Sequence, residues 1–168
     1  RSWYDRPWNC VIRHPNSKVR ELIAELAVKA AKNDKIGYDQ DERVTYWSQL
    51  KKVGYDPSKI TVPCEEDCSP RVMANVKAVA YLLGIEALKN VPITSTWYMR
   101  DALKNAGFEI LTASKYLKSP DYLKRGDVLL NDAKHTATNV EDGKYVGEST
   151  GTSSGTGGKI TVNASMPI

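Results

Sequence analysis

Pro63-Cys64-Glu65-Glu66-Asp67-Cys68-Ser69-Pro70 is the stretch in which a polar turn gives way to an apolar helix. Asp67 and Ser69 are residue types that cap helices, and Pro70 suits a first helical turn. Apolar residues then recur at helical spacing until Gly84, a typical helix end. They are Val72, Met73, Val76, Val79, Ala80 and Leu83. We therefore expect a central helix whose first turn carries Cys68.

A thiol in the first turn of a helix feels the positive end of the helix dipole, which favours the nucleophilic thiolate. Such a thiol needs a base, and the chain has two histidines, His14 and His135. His14 falls in an irregular segment before the first helix, whereas His135 opens a predicted strand that would hold its ring rigidly. We therefore pair Cys68 with His135, the combination used by papain-type hydrolases.

The order of predicted elements indicates an α+β fold, because helices come first and antiparallel strands follow. Periodicity and end signals predict helices over 17–32, 43–53 and 95–106 besides the central one. Strands are predicted over 108–111, 127–130 and 135–140, and the Asp142-Gly143 turn predicts a hairpin returning over 144–149. We expect one catalytic domain over 1–168, with an N-terminal arm at 1–16, loops at 36–43 and 55–67, and a flexible Gly/Ser/Thr segment at 150–159.

Composition excludes several classes of protein. The chain has 168 residues, enough for one domain with a core, and a net charge of only +4. That charge is too small and too scattered to indicate nucleic-acid binding. No apolar run approaches the roughly 20 residues of a membrane span. Three cysteines are an odd number, which argues against a disulfide scaffold.

The orienting partner of His135 depends on the hairpin register. With a two-residue Asp142-Gly143 turn, Glu148 shares a face with His135 as a diagonal neighbour. A three-residue turn places Gly147 there and turns Glu148 away. Asn139 shares the face but lies about 13 Å along the same strand. We favour Glu148.

Plainer interpretations of the cysteines remain open. A free cysteine is often a small buried apolar residue. Cys64, Cys68 and His135 also contain metal-binding atom types, but a structural zinc site needs four ligands and no fourth is evident. We therefore expect no metal site, and a covalent mechanism through Cys68 and His135 needs no organic cofactor.

Three segments resemble the NlpC/P60 and CHAP cell-wall hydrolases, including their phage lysin-like members. Asp67-Cys68-Ser69 before an apolar helix is similar to their nucleophile motif. Arg125-Gly126-Asp127-Val128-Leu129-Leu130, followed by Lys134-His135-Thr136-Ala137, resembles their histidine block. Ile36-Gly37-Tyr38-Asp39-Gln40 with Arg43 resembles the segment that precedes the nucleophile in phage-type members. The blocks span about residues 17–150 in the family's order.

The resemblance implies a papain-like fold in which the nucleophile helix packs on an antiparallel sheet. It implies peptidoglycan as the substrate, cleaved at an amide bond by a stem-peptide endopeptidase or an N-acetylmuramoyl-L-alanine amidase. Cys68, His135 and Glu148 would be catalytic. Tyr38, Gln40, Asp67 and Ser69 would contribute to oxyanion and substrate binding, beside the backbone N–H of Cys68. The protein would act outside the host cell or at its wall, in a phage virion or released at lysis. Its partners would include further domains of a larger lysin or virion protein.

Two other classes of function stay open. One is a non-catalytic wall-binding module that keeps the fold. The other is a papain-like protease or transglutaminase that acts on proteins. A high reactivity of Cys68 towards alkylating agents would distinguish an enzyme from a wall-binding module. The identity of the new termini in digested wall would distinguish a wall hydrolase from an enzyme that acts on proteins.

Overall fold

The computed structural model describes residues 8–37, 45–65 and 68–146, and it confirms the expected α+β class. The described helices are α1 (Ser17–Lys32), α2 (Tyr46–Lys52), α3 (Cys68–Leu83), α4 (Glu86–Lys89), α5 (Thr96–Asn105) and α6 (Ser114–Lys118). The strands are β1 (Cys10–Arg13), β2 (Ile36–Gly37), β3 (Cys64–Glu65), β4 (Glu109–Leu111), β5 (Val128–Asn131) and β6 (His135–Thr138). None of these helices is long and apolar enough to cross a membrane.

Four strands form one antiparallel sheet in the order β4-β1-β5-β6. The expectation of an irregular arm over 1–16 is therefore wrong for Cys10–Arg13, which is an inner strand. Cys10, Val11 and Ile12 are all 0% exposed. A strand covered on both faces has a continuous apolar run and no alternation, so its period could not reveal it.

The two faces of the sheet pack against different partners. Cys10, Ile12 and Leu130 belong to the large core that α1, α3 and α5 complete. Val11 and Leu129 belong to a smaller cluster on the other face. Partly buried Trp8, Leu111, Tyr116 and Leu117 cover that cluster. The result is a sheet whose edge strand β6 lies beside α3.

Helix α3 is the central helix that the apolar stripe predicts. It begins at Cys68 and ends before Gly84, whose φ of +71° is readily adopted only by glycine. Helix α1 matches its predicted bounds, and Asn16 caps it by accepting hydrogen bonds from the N–H groups of Lys18 and Val19.

The predicted loops at 36–43 and 55–67 contain a short parallel pair, β2 with β3. Ile36 pairs with Cys64 and Gly37 with Glu65. Each strand has two residues, too few for a periodic signal, so local sequence could not predict them.

The Arg125-Gly126-Asp127 segment holds β5 against the rest of the domain. Gly126 has φ of +94°, and a Cβ there would lie 2.1 Å from the backbone oxygen of Arg20 in α1. Asp127 forms an ion pair with Arg13 of β1. This segment is therefore structural, since it fixes β5, the strand that pairs with β6 and so with His135.

The predicted hairpin over 135–149 is wrong in its second arm. Residues 144–146 are helical instead of extended. The side chain of Asp142 accepts the N–H of Arg125, and the N–H of Gly143 donates to the oxygen of Leu123. These bonds tie the turn to the segment before β5, and residues 144–146 do not join the sheet. Glu148 and the segment 150–159 lie outside the described residues. The register argument for Glu148 thus loses its basis, although position 148 itself is untested.

Candidate active site

Cys68 is the first residue of α3 and is partly exposed. Cys10 and Cys64 are both 0% exposed and pack in the main core. Burial raises the pKa of the Cys10 thiol to about 11, which leaves it protonated and unreactive at neutral pH. Cys68 is therefore the cysteine that solvent and substrate can reach.

A pocket of about 200 Å³ runs along one stripe of α3. Cys68, Arg71, Val72 and Asn75 line it, at the i, i+3, i+4 and i+7 positions of one helix face. Strand β6 forms another wall, from His135 to Thr138. Ala27, Ala30 and Ala31 of α1 also line it, and their small side chains leave it open. The structure thus brings the predicted pair, Cys68 and His135, to a single pocket.

His135 begins β6, where it pairs with Asn131 across the sheet. The ring of Trp8 stacks on the imidazole, with centroids 6.1 Å apart and planes 28° apart. This contact limits the tilt of the imidazole, which is one requirement for a base that works in a fixed direction.

His14, the other histidine, is structural. It is 9% exposed, its Nδ1 accepts the N–H of Asn16 at 3.0 Å, and its ring meets Phe108 edge-on at 4.9 Å. Burial, aided by the charge of Arg20, lowers its pKa. It does not line the pocket of Cys68.

Asn139, the alternative orienting residue, is committed elsewhere. Its Nδ2 donates to the backbone oxygens of Lys124 at 2.9 Å and Glu141 at 2.7 Å. These bonds hold the side chain beyond the end of β6, away from His135. The orienting role therefore does not pass to Asn139.

The predicted oxyanion and substrate residues are only partly described. Ser69 is 5% exposed in the first turn of α3. Tyr38, Gln40 and Asp67 lie outside the described residues, so their roles stay predictions. Gly37, which precedes Tyr38, is anchored to α3: its oxygen accepts a hydrogen bond from Nη2 of Arg71 at 2.6 Å.

Sequence reasoning missed Asn75. This residue is 2% exposed, and its Oδ1 accepts a hydrogen bond from the hydroxyl of Tyr46 at 2.5 Å. The signal was a polar residue within the apolar stripe, seven positions after Cys68. Burying a polar group costs free energy unless the group is hydrogen-bonded, so a buried asparagine here indicates that the pocket needs a polar side chain.

The arrangement suits nucleophilic acyl transfer. A thiol at the start of a helix and an imidazole on a neighbouring strand face one pocket, and the helix start supplies a backbone N–H donor. Within the described ranges, no three His, Cys, Asp or Glu residues cluster in a way that would hold a metal ion.

Comparison with known proteins gives one family. No curated protein and no solved structure matches the chain. A family model described as ELLD, endolysin-like domain, matches residues 1–146. That match includes all three family-like blocks and the whole of the described pocket. Because it covers most of the chain, the protein belongs to the endolysin-like domain family and is phage lysin-like.

Proposed function

We propose that this chain is a single catalytic domain that hydrolyses an amide bond of bacterial peptidoglycan, with Cys68 as nucleophile and His135 as acid and base. One observation carries the proposal: Cys68 and His135 line the same pocket in a chain that belongs to an endolysin-like family. The three motif segments favour a papain-like enzyme of the NlpC/P60 or CHAP type.

The reaction would have two halves. The Cys68 thiolate attacks the carbonyl carbon, and the backbone N–H of Cys68 stabilises the oxyanion. His135 donates its proton to the leaving amine as the C–N bond breaks, which leaves a thioester on Cys68. His135 then takes a proton from water while the hydroxide attacks the thioester. The Cys68 thiolate leaves beside the imidazolium, which restores the starting pair, and the new carboxylic acid loses its proton to water.

The setting would be the bacterial wall. A phage lysin reaches its substrate from a virion or after release at lysis, so the domain would act on the wall and would join further domains of a larger lysin or virion protein. The substrate would be either a stem peptide or the amide that joins the stem to the sugar.

Digestion of purified wall tests the proposal. Mass spectrometry of the products should show new amine and carboxyl termini and no new reducing sugar ends. New reducing ends would instead indicate a glycosidase, and an undigested wall with digested protein substrates would indicate a protease.

A further inference from the structure

Asn75 brings a polar group to the same pocket as Cys68. Cys68 and Asn75 share one face of α3 and are seven residues apart, which separates them by about 10 Å along the helix axis. Asn75 is 2% exposed, yet it borders the pocket. The Asn75 side chain is therefore shielded from bulk water but accessible to a molecule bound in the pocket.

The orientation of the Asn75 amide follows from Tyr46. The Tyr46 hydroxyl donates to Oδ1 of Asn75. Tyr46 is 0% exposed, and burial raises the pKa of its phenol, so it stays protonated as a donor. In the part of the chain that the structure describes, Asn75 makes no other side-chain hydrogen bond. With Oδ1 occupied, the amide nitrogen is left to donate into the pocket.

The pocket is complementary to an acceptor oxygen. Arg71 lines it between Cys68 and Asn75 and brings a positive charge. No aspartate or glutamate of the described ranges lines it. An N–H donor beside a guanidinium favours an oxygen acceptor, with or without negative charge.

We propose that Asn75 is a substrate-binding residue that donates a hydrogen bond to a carbonyl or carboxylate oxygen of the wall peptide, about two helical turns from Cys68. The proposal rests on the proposed function for the identity of the peptide. It assigns Tyr46 as a positioning residue, because Tyr46 acts through the amide and does not reach the pocket itself.

Asn75→Asp is the informative change, since it keeps the shape and the acceptor for Tyr46 but replaces the N–H donors by a second acceptor. The expected result is a KM for wall hydrolysis raised roughly 10- to 100-fold, with kcat changed less than threefold. Asn105→Asp, an exposed site on α5, is the matched control for the added negative charge and should leave both constants unchanged. Tyr46→Phe should raise KM by a smaller factor, since the amide is then free to rotate.

Binding measured in the Cys68→Ala background separates this inference from the proposed function. The probe is a synthetic stem tetrapeptide, compared with the same peptide whose carboxylates are converted to carboxamides. Equal loss of affinity for both probes on Asn75→Asp identifies a carbonyl acceptor, and a larger loss for the carboxylate form identifies a carboxylate. Either result supports the proposal even if no wall is hydrolysed.

Three results would overturn it. One is an Asn75→Asp protein with unchanged KM and unchanged peptide affinity. Another is a fall in kcat at constant KM. The third is the absence of any tetrapeptide affinity in the Cys68→Ala protein. If Asn75→Asp fails to fold, Tyr46→Phe decides: an unchanged KM in that variant counts against the proposal.

Discussion

The guanidinium of Arg13 binds both carboxylate oxygens of Asp127, with Nε 2.9 Å from Oδ1 and Nη2 2.7 Å from Oδ2. The Asp127 side chain is 0% exposed and that of Arg13 is 12% exposed. Asp127 also accepts the N–H of Lys124. The pair therefore ties β1 to the start of β5, and through β5 to the strand that carries His135.

Removing one partner of this pair should be costly. Asp127→Ala leaves a buried guanidinium without its counter-charge, and we expect the free energy of unfolding to fall by about 3–5 kcal/mol. Urea denaturation measures it. The matched control is Glu21→Ala, which breaks the exposed pair with Arg125 and should cost less than about 1 kcal/mol. Equal losses in the two variants would contradict the structural role given to Asp127.

His14 should make stability depend on pH. Its pKa is lowered from 6.5 in the fold, first by burial and second by Arg20. A base whose pKa is lower in the folded state binds more protons when the protein is unfolded. The contribution of His14 to the free energy of unfolding is therefore fully present above pH 6.5. That contribution is lost as the pH falls below 6.5, because protonation also removes the Nδ1 acceptor of Asn16.

The measurement is the free energy of unfolding from pH 7.5 to 5, for the wild type and for His14→Gln. The difference between the two proteins should shrink as the pH falls. A difference that is constant over this range would show that His14 titrates alike in the folded and unfolded states.

Alkylation should single out one thiol. In the folded protein, iodoacetamide should label Cys68 and spare Cys10 and Cys64, because both are 0% exposed. In urea all three should react, which serves as the control. Peptide mapping by mass spectrometry identifies the labelled site.

His135→Ala should slow the labelling of Cys68 at neutral pH, on the order of tenfold, because the imidazolium no longer stabilises the thiolate. His14→Ala is the matched control and should leave the rate unchanged. Labelling of Cys68 at the wild-type rate in the His135 variant would mean that the two residues are not partners.

The sequence alone predicted the helices better than the sheet. Helices α1 and α3 have long apolar stripes and clear end signals, so their bounds could be read from period and caps. Strand β1 could not be predicted in this way, because burial on both faces removes the alternation of apolar and polar residues. The second arm of the hairpin failed because Asp142 and Gly143 bond to Arg125 and Leu123, contacts that no local pattern encodes.

Some residues of the candidate site could likewise be predicted from the sequence, and others could not. Cys68 and His135 could be chosen because the chemistry limits the choice to few residues, and one helix start and one strand carry them. Trp8 and Asn75 could not be chosen from the sequence, because tertiary packing brings each of them to the site. Trp8 stacks on the imidazole of His135, and Asn75 bonds to Tyr46. The third catalytic residue depended on a strand register, the feature that sequence specifies least when the turn is uncertain.

The release of new amine termini from purified peptidoglycan by the Cys68→Ala variant tests the central claim most directly. Cys64→Ala, a change at a thiol buried in the core, is the control, and circular dichroism checks that both variants fold. We expect Cys68→Ala to lose activity by orders of magnitude while remaining folded, and Cys64→Ala to keep most of it. Full activity in a folded Cys68→Ala protein would contradict the mechanism.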